Sequence, residues 1–290
     1  MIVELSIIIV TYNSDFVILD CIKSIADFND LADKLEVIIV DNSPTDRLKS
    51  TLVDFPSVLY IHNPKNGGFG QGNNIGVRSS SGEICLFLNP DTILVEPIFN
   101  FVVSKFKEFK NLSACGFKLV NIDCKMGKSF GFFPEKNSLI PERINNFIYN
   151  FFFHYFNFCP KNIFPWGADL TVRRLRFIEI GMFDEDYFLS YEEPDLLKRM
   201  NRMDEVRIFS KKIIHIGGHS TIPREIMLAT LRSQSRYFIK YKLNYKPYLV
   251  QKIRWLKFII SIKKHLRRPF KAEMTRYLYY LEVQSTLEDK

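Results

Sequence analysis

The chain has no apolar stretch approaching the ~18 uninterrupted residues of a membrane-spanning helix, so a spanning segment is not expected. Its five cysteines, at positions 21, 85, 115, 124 and 159, show no paired metal-binding spacing, and two of them sit in apolar runs. That usage fits incidental thiols in a reducing compartment and excludes a disulfide framework. The first residues lack a basic region and run straight into a strand pattern, so no signal peptide is expected. There is no G-x-x-x-x-G-K-[ST] segment, which removes P-loop chemistry. Gly68, Gly70 and Gly72 have the wrong spacing and place for a dinucleotide fingerprint. No Ser-His or Cys-His nucleophile constellation is evident, nor any internal repeat. Acidic residues are absent between positions 226 and 272, a stretch with 13 Lys and Arg. The remainder carries 27 basic against 32 acidic residues, so the net charge of +8 is a C-terminal property.

What is present suits a soluble globular chain: 290 residues, 47% hydrophobic and 25% charged, with an unusual 27 Phe and 13 Tyr. The run Leu5-Ser6-Ile7-Ile8-Ile9-Val10 reads as a buried strand, closed by Thr11-Tyr12-Asn13-Ser14, a helix-capping cluster. Residues 17–25 show helical spacing. Strands follow at 35–40, closed by Asp41-Asn42-Ser43, at 58–62 and at 84–88. Residues 66–74 read as a glycine- and asparagine-rich loop that opens a helix over 75–78. This alternation predicts an α/β fold with a mostly parallel sheet and right-handed crossovers. Each buried strand ends in Thr, Asn or Asp, which collects polar groups along one sheet edge, where such sheets bind ligands.

Past Asp91 the pattern is less regular. A helix is expected over 98–109, a strand over 117–120, and a loop then a strand over 166–172. A helix over 193–203 and short strands at 206–208 and 213–216 complete it. Residues 129–165 are aromatic-rich without clear periodicity and read as an insertion or flap.

Asn89-Pro90-Asp91-Thr92 closes the last apolar run of the first half. Good turn chemistry explains it in part, but a carboxylate there also suits Mg²⁺ or Mn²⁺ on a diphosphate. Tyr191-Glu192-Glu193-Pro194-Asp195 precedes a helix. Its three carboxylates fit either the helix dipole or a general base. His215 ends an apolar strand before Gly217 and Gly218 and is a second candidate metal ligand.

Together these segments resemble a known family. Val10-Thr11-Tyr12-Asn13, Val40-Asp41-Asn42-Ser43, Asn66-Gly67-Gly68-Phe69-Gly70 with Asn73-Asn74, and Leu88-Asn89-Pro90-Asp91-Thr92 occur in that order. Gly167-Ala168, the segment from Phe183 through Phe188, Glu192-Glu193-Pro194-Asp195-Leu196, and His215 with Gly217-Gly218 follow. They look like the family-two inverting glycosyltransferases of GT-A fold, in particular a bacterial rhamnosyltransferase-like branch, over roughly residues 3–222.

The resemblance implies roles. Thr11, Tyr12, Asn13 and Asp41 would line the nucleotide pocket, with Asp41 at the nucleobase. Asn66, Gly67, Gly68 and Asn74 would close over the sugar nucleotide. Asn89 and Asp91 stand at the Asp-x-Asp position, Asp91 and His215 holding Mg²⁺ or Mn²⁺. Glu193 falls at the catalytic base, beside Glu192 and Asp195, while Trp166, Gly167 and Asp169 would face the acceptor. The donor would be a dTDP- or UDP-sugar and the acceptor a lipid-linked glycan. The alternatives are a nucleotidyltransferase, whose basic Gly-rich loop after the first strand is missing here, and a non-catalytic nucleotide-sugar-binding protein.

The expected division is residues 1–222 as catalytic domain, with 1–92 for the donor and 93–222 for the acceptor, and 223–290 as a basic helical extension. Residues 251–268 place Trp255, Ile259, Ile262 and Leu266 on one helical face with cations largely elsewhere. That pattern fits either an anionic membrane surface or packing on the domain. It implies a cytoplasmic protein, peripheral on the inner membrane face. No nucleic-acid partner is expected, because no nucleic-acid-binding motif accompanies the cations.

Overall fold

The apolar runs become the centre of one large sheet. A computed structural model describes residues 2–136, 142–200, 203–217 and 224–288. The first half comprises β1 (Leu5–Thr11), α1 (Ile18–Asp27), β2 (Leu35–Asp41), α2 (Arg47–Thr51), β3 (Val58–His62), α3 (Gly68–Arg78) and β4 (Ile84–Phe87). Then come β5 (Thr92–Leu94), α4 (Phe99–Glu108), β6 (Leu112–Val120), β7 (Phe130–Phe132), α5 (Glu142–Phe156) and β8 (Ile163–Pro165). They are followed by β9 (Thr171–Arg173), α6 (Arg174–Glu179), α7 (Glu192–Arg199) and β10 (Glu205–His215). Three helices, α8 (Arg224–Lys240), α9 (Tyr245–His265) and α10 (Lys271–Glu288), form the C-terminal part.

The eight-stranded sheet runs β3-β2-β1-β4-β9-β6-β10-β5. β1 pairs in parallel with β2 and β4, β2 with β3, and β6 with β10. Only β9 and β5 run antiparallel to their neighbours. Successive residues of β1 face opposite sides. Ile7 and Ile9 join Ile22, Leu86, Phe99 and Phe106 on one face, whereas Ile8 joins Val40, Val77, Phe87 and Phe183 on the other. Burial on both faces is why these strands carry unbroken apolar runs.

Four local expectations are corrected. The glycine-rich segment is mostly helix, because α3 begins at Gly68. Its glycines allow close approach to β1: a Cβ on Gly72 would lie 2.7 Å from Val10 Cγ1, and one on Gly76 would collide with Ile8. The two short strands expected after residue 205 are one strand, β10, with a register shift between Ile208 and Lys212. The described part of residues 129–165 is not irregular: β7 and β8 pair antiparallel and α5 packs on them. The strand expected over 117–120 begins earlier, as β6 from Leu112. Gly218 and the expected boundary at 222/223 lie outside the described residues.

The C-terminal helices share their own core, in which Tyr237, Phe238, Tyr245, Tyr248 and Leu249 pack with Tyr187 of the preceding part.

Candidate active site

Asp91 sits between β4 and β5, and the antiparallel pairing of β5 with β10 sets Thr92 opposite His215. Ile216 N–H donates to the Asp91 carbonyl at 2.9 Å. The His215 Nε2 atom lies 3.2 Å from Asp91 Oδ1, and Asn89 Nδ2 is 3.5 Å from the same nitrogen. Burial alone would raise the Asp91 carboxyl, but the hydrogen bond and charge of His215, with backbone donors including Gly217, bring it below the ordinary range. Both side chains keep some exposure. Among the described residues no group of three His, Cys, Asp or Glu could hold a metal by itself. One carboxylate and one imidazole therefore fit a divalent ion that takes its remaining ligands from a diphosphate.

The expected donor residues divide into two sets. Tyr12 is exposed at the strand-end edge, and Asn13 takes φ +50° with its N–H on Ser43 Oγ at 2.8 Å. Asn66, at φ +43°, accepts the Gly68 N–H at 3.3 Å, and Gly67 is the N-cap of α3. Gly68 takes φ +91° and its missing Cβ would strike the Phe188 carbonyl oxygen. These residues shape the rim. The others are interior. Asp41 is fully buried and accepts from Thr11 Oγ1 at 3.0 Å, the Ser43 N–H at 3.0 Å, and Tyr60 OH at 2.8 Å. In this arrangement it organises the edge and offers a nucleobase no open acceptor. Asn74 donates to the Phe183 carbonyl at 2.9 Å and Glu185 at 3.0 Å, and accepts the Phe183 N–H at 3.1 Å. It clasps α3 to the loop before α7 and does not face a ligand.

Ser190 and Tyr191 both take positive φ, and this turn starts α7 with the two glutamates. Glu192 points inward, buried, with Oε1 bound to no protein group. Burial and the neighbouring Glu193 charge push its carboxyl well above the usual range. Glu193 reaches the wall of a cleft of about 980 Å³. Burial raises its carboxyl too, opposed by the backbone N–H groups of Glu193 and Gly167 and by the charge of Lys128. Of the pair, Glu193 is the carboxylate that can take a proton from something in the cleft. Asp195 is engaged elsewhere: it binds Arg199 Nε at 2.9 Å, Tyr241 OH at 2.9 Å, and Lys240. It ties α7 to α8 and is not free to act as a base.

On the expected acceptor side, Trp166 lines the cleft, stacked on Phe164, with Lys128 Nζ 3.5 Å from its ring centroid. Gly167 abuts Glu193 so closely that a Cβ would collide with Oε1. Asp169 belongs to the interior instead: fully buried, it accepts the Phe117 N–H at 2.6 Å and leaves Oδ1 without a partner. Desolvation holds its carboxyl well above the ordinary range. Asn89 N–H donates to the Ala168 carbonyl at 3.0 Å, which joins the loop of Asp91 to the loop beneath Glu193. Lys128 was not foreseen, because it lies beside the aromatic region with no motif around it.

With this geometry in place, the comparisons decide the family. Residues 6–156 match the sequence profile of Glycosyl transferase family 2. The chain belongs to that family. It is 26% identical over 216 residues to the low-salt glycan biosynthesis hexosyltransferase Agl10 of Haloferax volcanii, covering 70% of this chain and 63% of that one. It is 26% identical over 112 residues to the minor teichoic acid biosynthesis protein GgaB of Bacillus subtilis, covering 37% of this chain and 12% of that protein. The chain thus spans less than two thirds of each of these relatives. The mannosyltransferase PcManGT of Pyrobaculum calidifontis, solved with GDP-Man and Mn²⁺, superposes with a TM-score of 0.56 at 14% identity, over 100% of this chain and 89% of that one. The large, mostly parallel sheet flanked by helices is that of GT-A glycosyltransferases.

Proposed function

We propose that the chain is a metal-dependent inverting glycosyltransferase that moves a sugar from a nucleotide-diphosphate donor to an acceptor hydroxyl. The observation that carries this reading is the carboxylate of Glu193 at the cleft wall, next to a loop that the Asn89–Ala168 hydrogen bond joins to that of Asp91; Glu273, which also borders the cleft, is paired with Lys263. Asp91 and His215 would hold Mg²⁺ or Mn²⁺, which supplies charge neutralisation on the leaving diphosphate. Glu193 accepts the acceptor's proton as its oxygen attacks the anomeric carbon, and the charge of Lys128 opposes the burial that raises that carboxyl. Inversion needs one displacement and no protein nucleophile. The Trp166 ring offers a flat wall for a sugar. Family membership favours sugar transfer over the nucleotidyltransferase and pure binding alternatives.

The donor in this reading is a dTDP- or UDP-sugar, rhamnose or a hexose. The acceptor is a growing, lipid-linked bacterial surface polysaccharide such as O-antigen; relatives named for teichoic acid and glycan biosynthesis support that class. Residues 1–222 form the catalytic domain, with donor and acceptor halves meeting near residue 92. The basic extension, 223–290, holds the protein at the inner face of the cytoplasmic membrane. A panel of nucleotide sugars with Mn²⁺ or Mg²⁺ tests the reading: metal-dependent turnover of one donor is expected. Turnover unchanged in Glu193→Gln but lost in Glu192→Gln would move the base.

A further inference from the structure

Helix α5 is inverted for a helix in water. Phe147, Ile148, Phe151, Phe152, Tyr155 and Phe156 recur at helical spacing and form one stripe. All six are exposed, Phe147 at 60%, Tyr155 at 59% and Phe156 at 68%. The opposite face buries Asn146, Asn150 and Phe153. Asn150 accepts the Ser129 N–H at 2.8 Å and donates to the Phe130 carbonyl at 3.2 Å, and Phe153 meets Phe130 edge to face with ring centroids 5.6 Å apart. These hydrogen bonds fix which face looks out. No Lys, Arg, Asp or Glu occurs between positions 144 and 158. A chain alone in water seldom keeps a contiguous aromatic face of this kind.

We infer that this stripe inserts into the headgroup region of an anionic lipid membrane. At 15 residues α5 is about 22 Å long, too short to span a bilayer and suited to lying in its interface. Aromatic side chains favour that depth. Charge complementarity names the partner. α9 borders the same cleft through Lys252, Trp255, Ile259 and Lys263, and Phe147 of α5 borders it too, so stripe and basic helix flank one cleft. α9 and its C-cap also expose Phe258, Ile262 and Leu266 among the cations, within the stretch of 13 Lys and Arg without an acid. Among the described residues no helix is long and apolar enough to cross a membrane. The inference rests on the membrane reading above and deepens it by assigning the apolar part of the attachment to α5.

Co-sedimentation of the full chain with phosphatidylglycerol–phosphatidylethanolamine vesicles, at low and high salt, tests this. Phosphatidylcholine vesicles serve as the neutral comparison. Salt screens the cations but not the apolar contact, so a salt-resistant bound fraction is expected. A Phe152→Ser, Phe156→Ser double variant should lose that fraction, its partition falling at least about tenfold. A Lys257→Glu, Lys264→Glu variant should lose binding at low salt. Unchanged circular dichroism melts and nucleotide-diphosphate affinity confirm that both variants are folded. Vesicle binding by the double serine variant equal to that of the parent chain overturns the inference. So does a dimer, seen by light scattering, that the serine variant dissociates without change in vesicle binding; the stripe is then an interface between copies. If the charge variant binds normally while the serine variant does not, the stripe's insertion stands and the C-terminal charge reading falls.

Discussion

Two regions of the molecule are built on opposite rules. On the proposed donor side, β1, β2 and β4 bury most of their apolar side chains, and Tyr12, Asn13 and Asp91 stand near the strand ends. On the other side, α5 buries asparagines and exposes phenylalanines, and the proposed base is a glutamate with a raised carboxyl set against a glycine. The first construction is what water selects; the second makes sense beside something other than water. If the comparison is right, changes on the donor side strike donor binding, while changes on the far side leave the donor bound and strike transfer or attachment.

The largest effect belongs to Asp91. Asp91→Ala should abolish transfer together with metal-dependent donor affinity, which calorimetry with UDP or dTDP and Mn²⁺ measures; metal-dependent affinity equal to that of the parent would break the donor-side assignment. His215→Ala should weaken the same affinity more mildly. Gly167→Ala comes next: its methyl group displaces the Glu193 carboxylate, and misplacement of about 1 Å can cost ~10²-fold in rate. Transfer should fall by roughly 10- to 100-fold with donor affinity intact, and an equal loss of donor affinity would erase the contrast between the sides. Asn74→Ala should cost stability, about 1–3 kcal/mol, because Phe183 loses partners for its N–H and carbonyl. Denaturant titration reads that change.

The smallest effect concerns Asp169, whose raised carboxyl binds its proton more tightly in the folded chain. Below the ordinary carboxylate range both states are protonated. As pH rises through that range the unfolded chain ionises first, so this group's contribution to stability falls until the folded carboxyl also ionises. Asp169→Asn should remove that part of the pH dependence; melting curves that fall in parallel for both proteins would contradict it.

How much of this could be read from sequence followed the same divide. The strands at 5–10, 35–40 and 84–88 were legible because burial on both faces leaves apolar runs, and the half-exposed edge strand at 58–62 by its β-formers. Asp91, His215 and Glu193 stood out in motif order, but the nearness of Asp91 to His215 did not, since β5 is only three residues long and carries no pattern. α3 was hidden by glycines that exist for close packing on β1, and α5 because apolar residues occupy both of its faces. Asp41, Asn74, Asp169 and Asp195 are residue types that serve ligands and interiors alike. Only burial and partners separate those uses, and neither is written in the spacing of residues.

The most direct test compares donor binding and transfer in one preparation of Glu193→Gln. The account predicts unchanged donor affinity and transfer reduced ~10²–10⁴-fold, as for loss of a positioned base. In the parent chain, transfer should decline as pH falls, beginning above the range of an ordinary glutamate because the base carboxyl is raised; the residual activity of the variant should lack that decline. Near-normal transfer by Glu193→Gln, or the same acid-side decline in its residual rate, would contradict the assignment of Glu193 as the base.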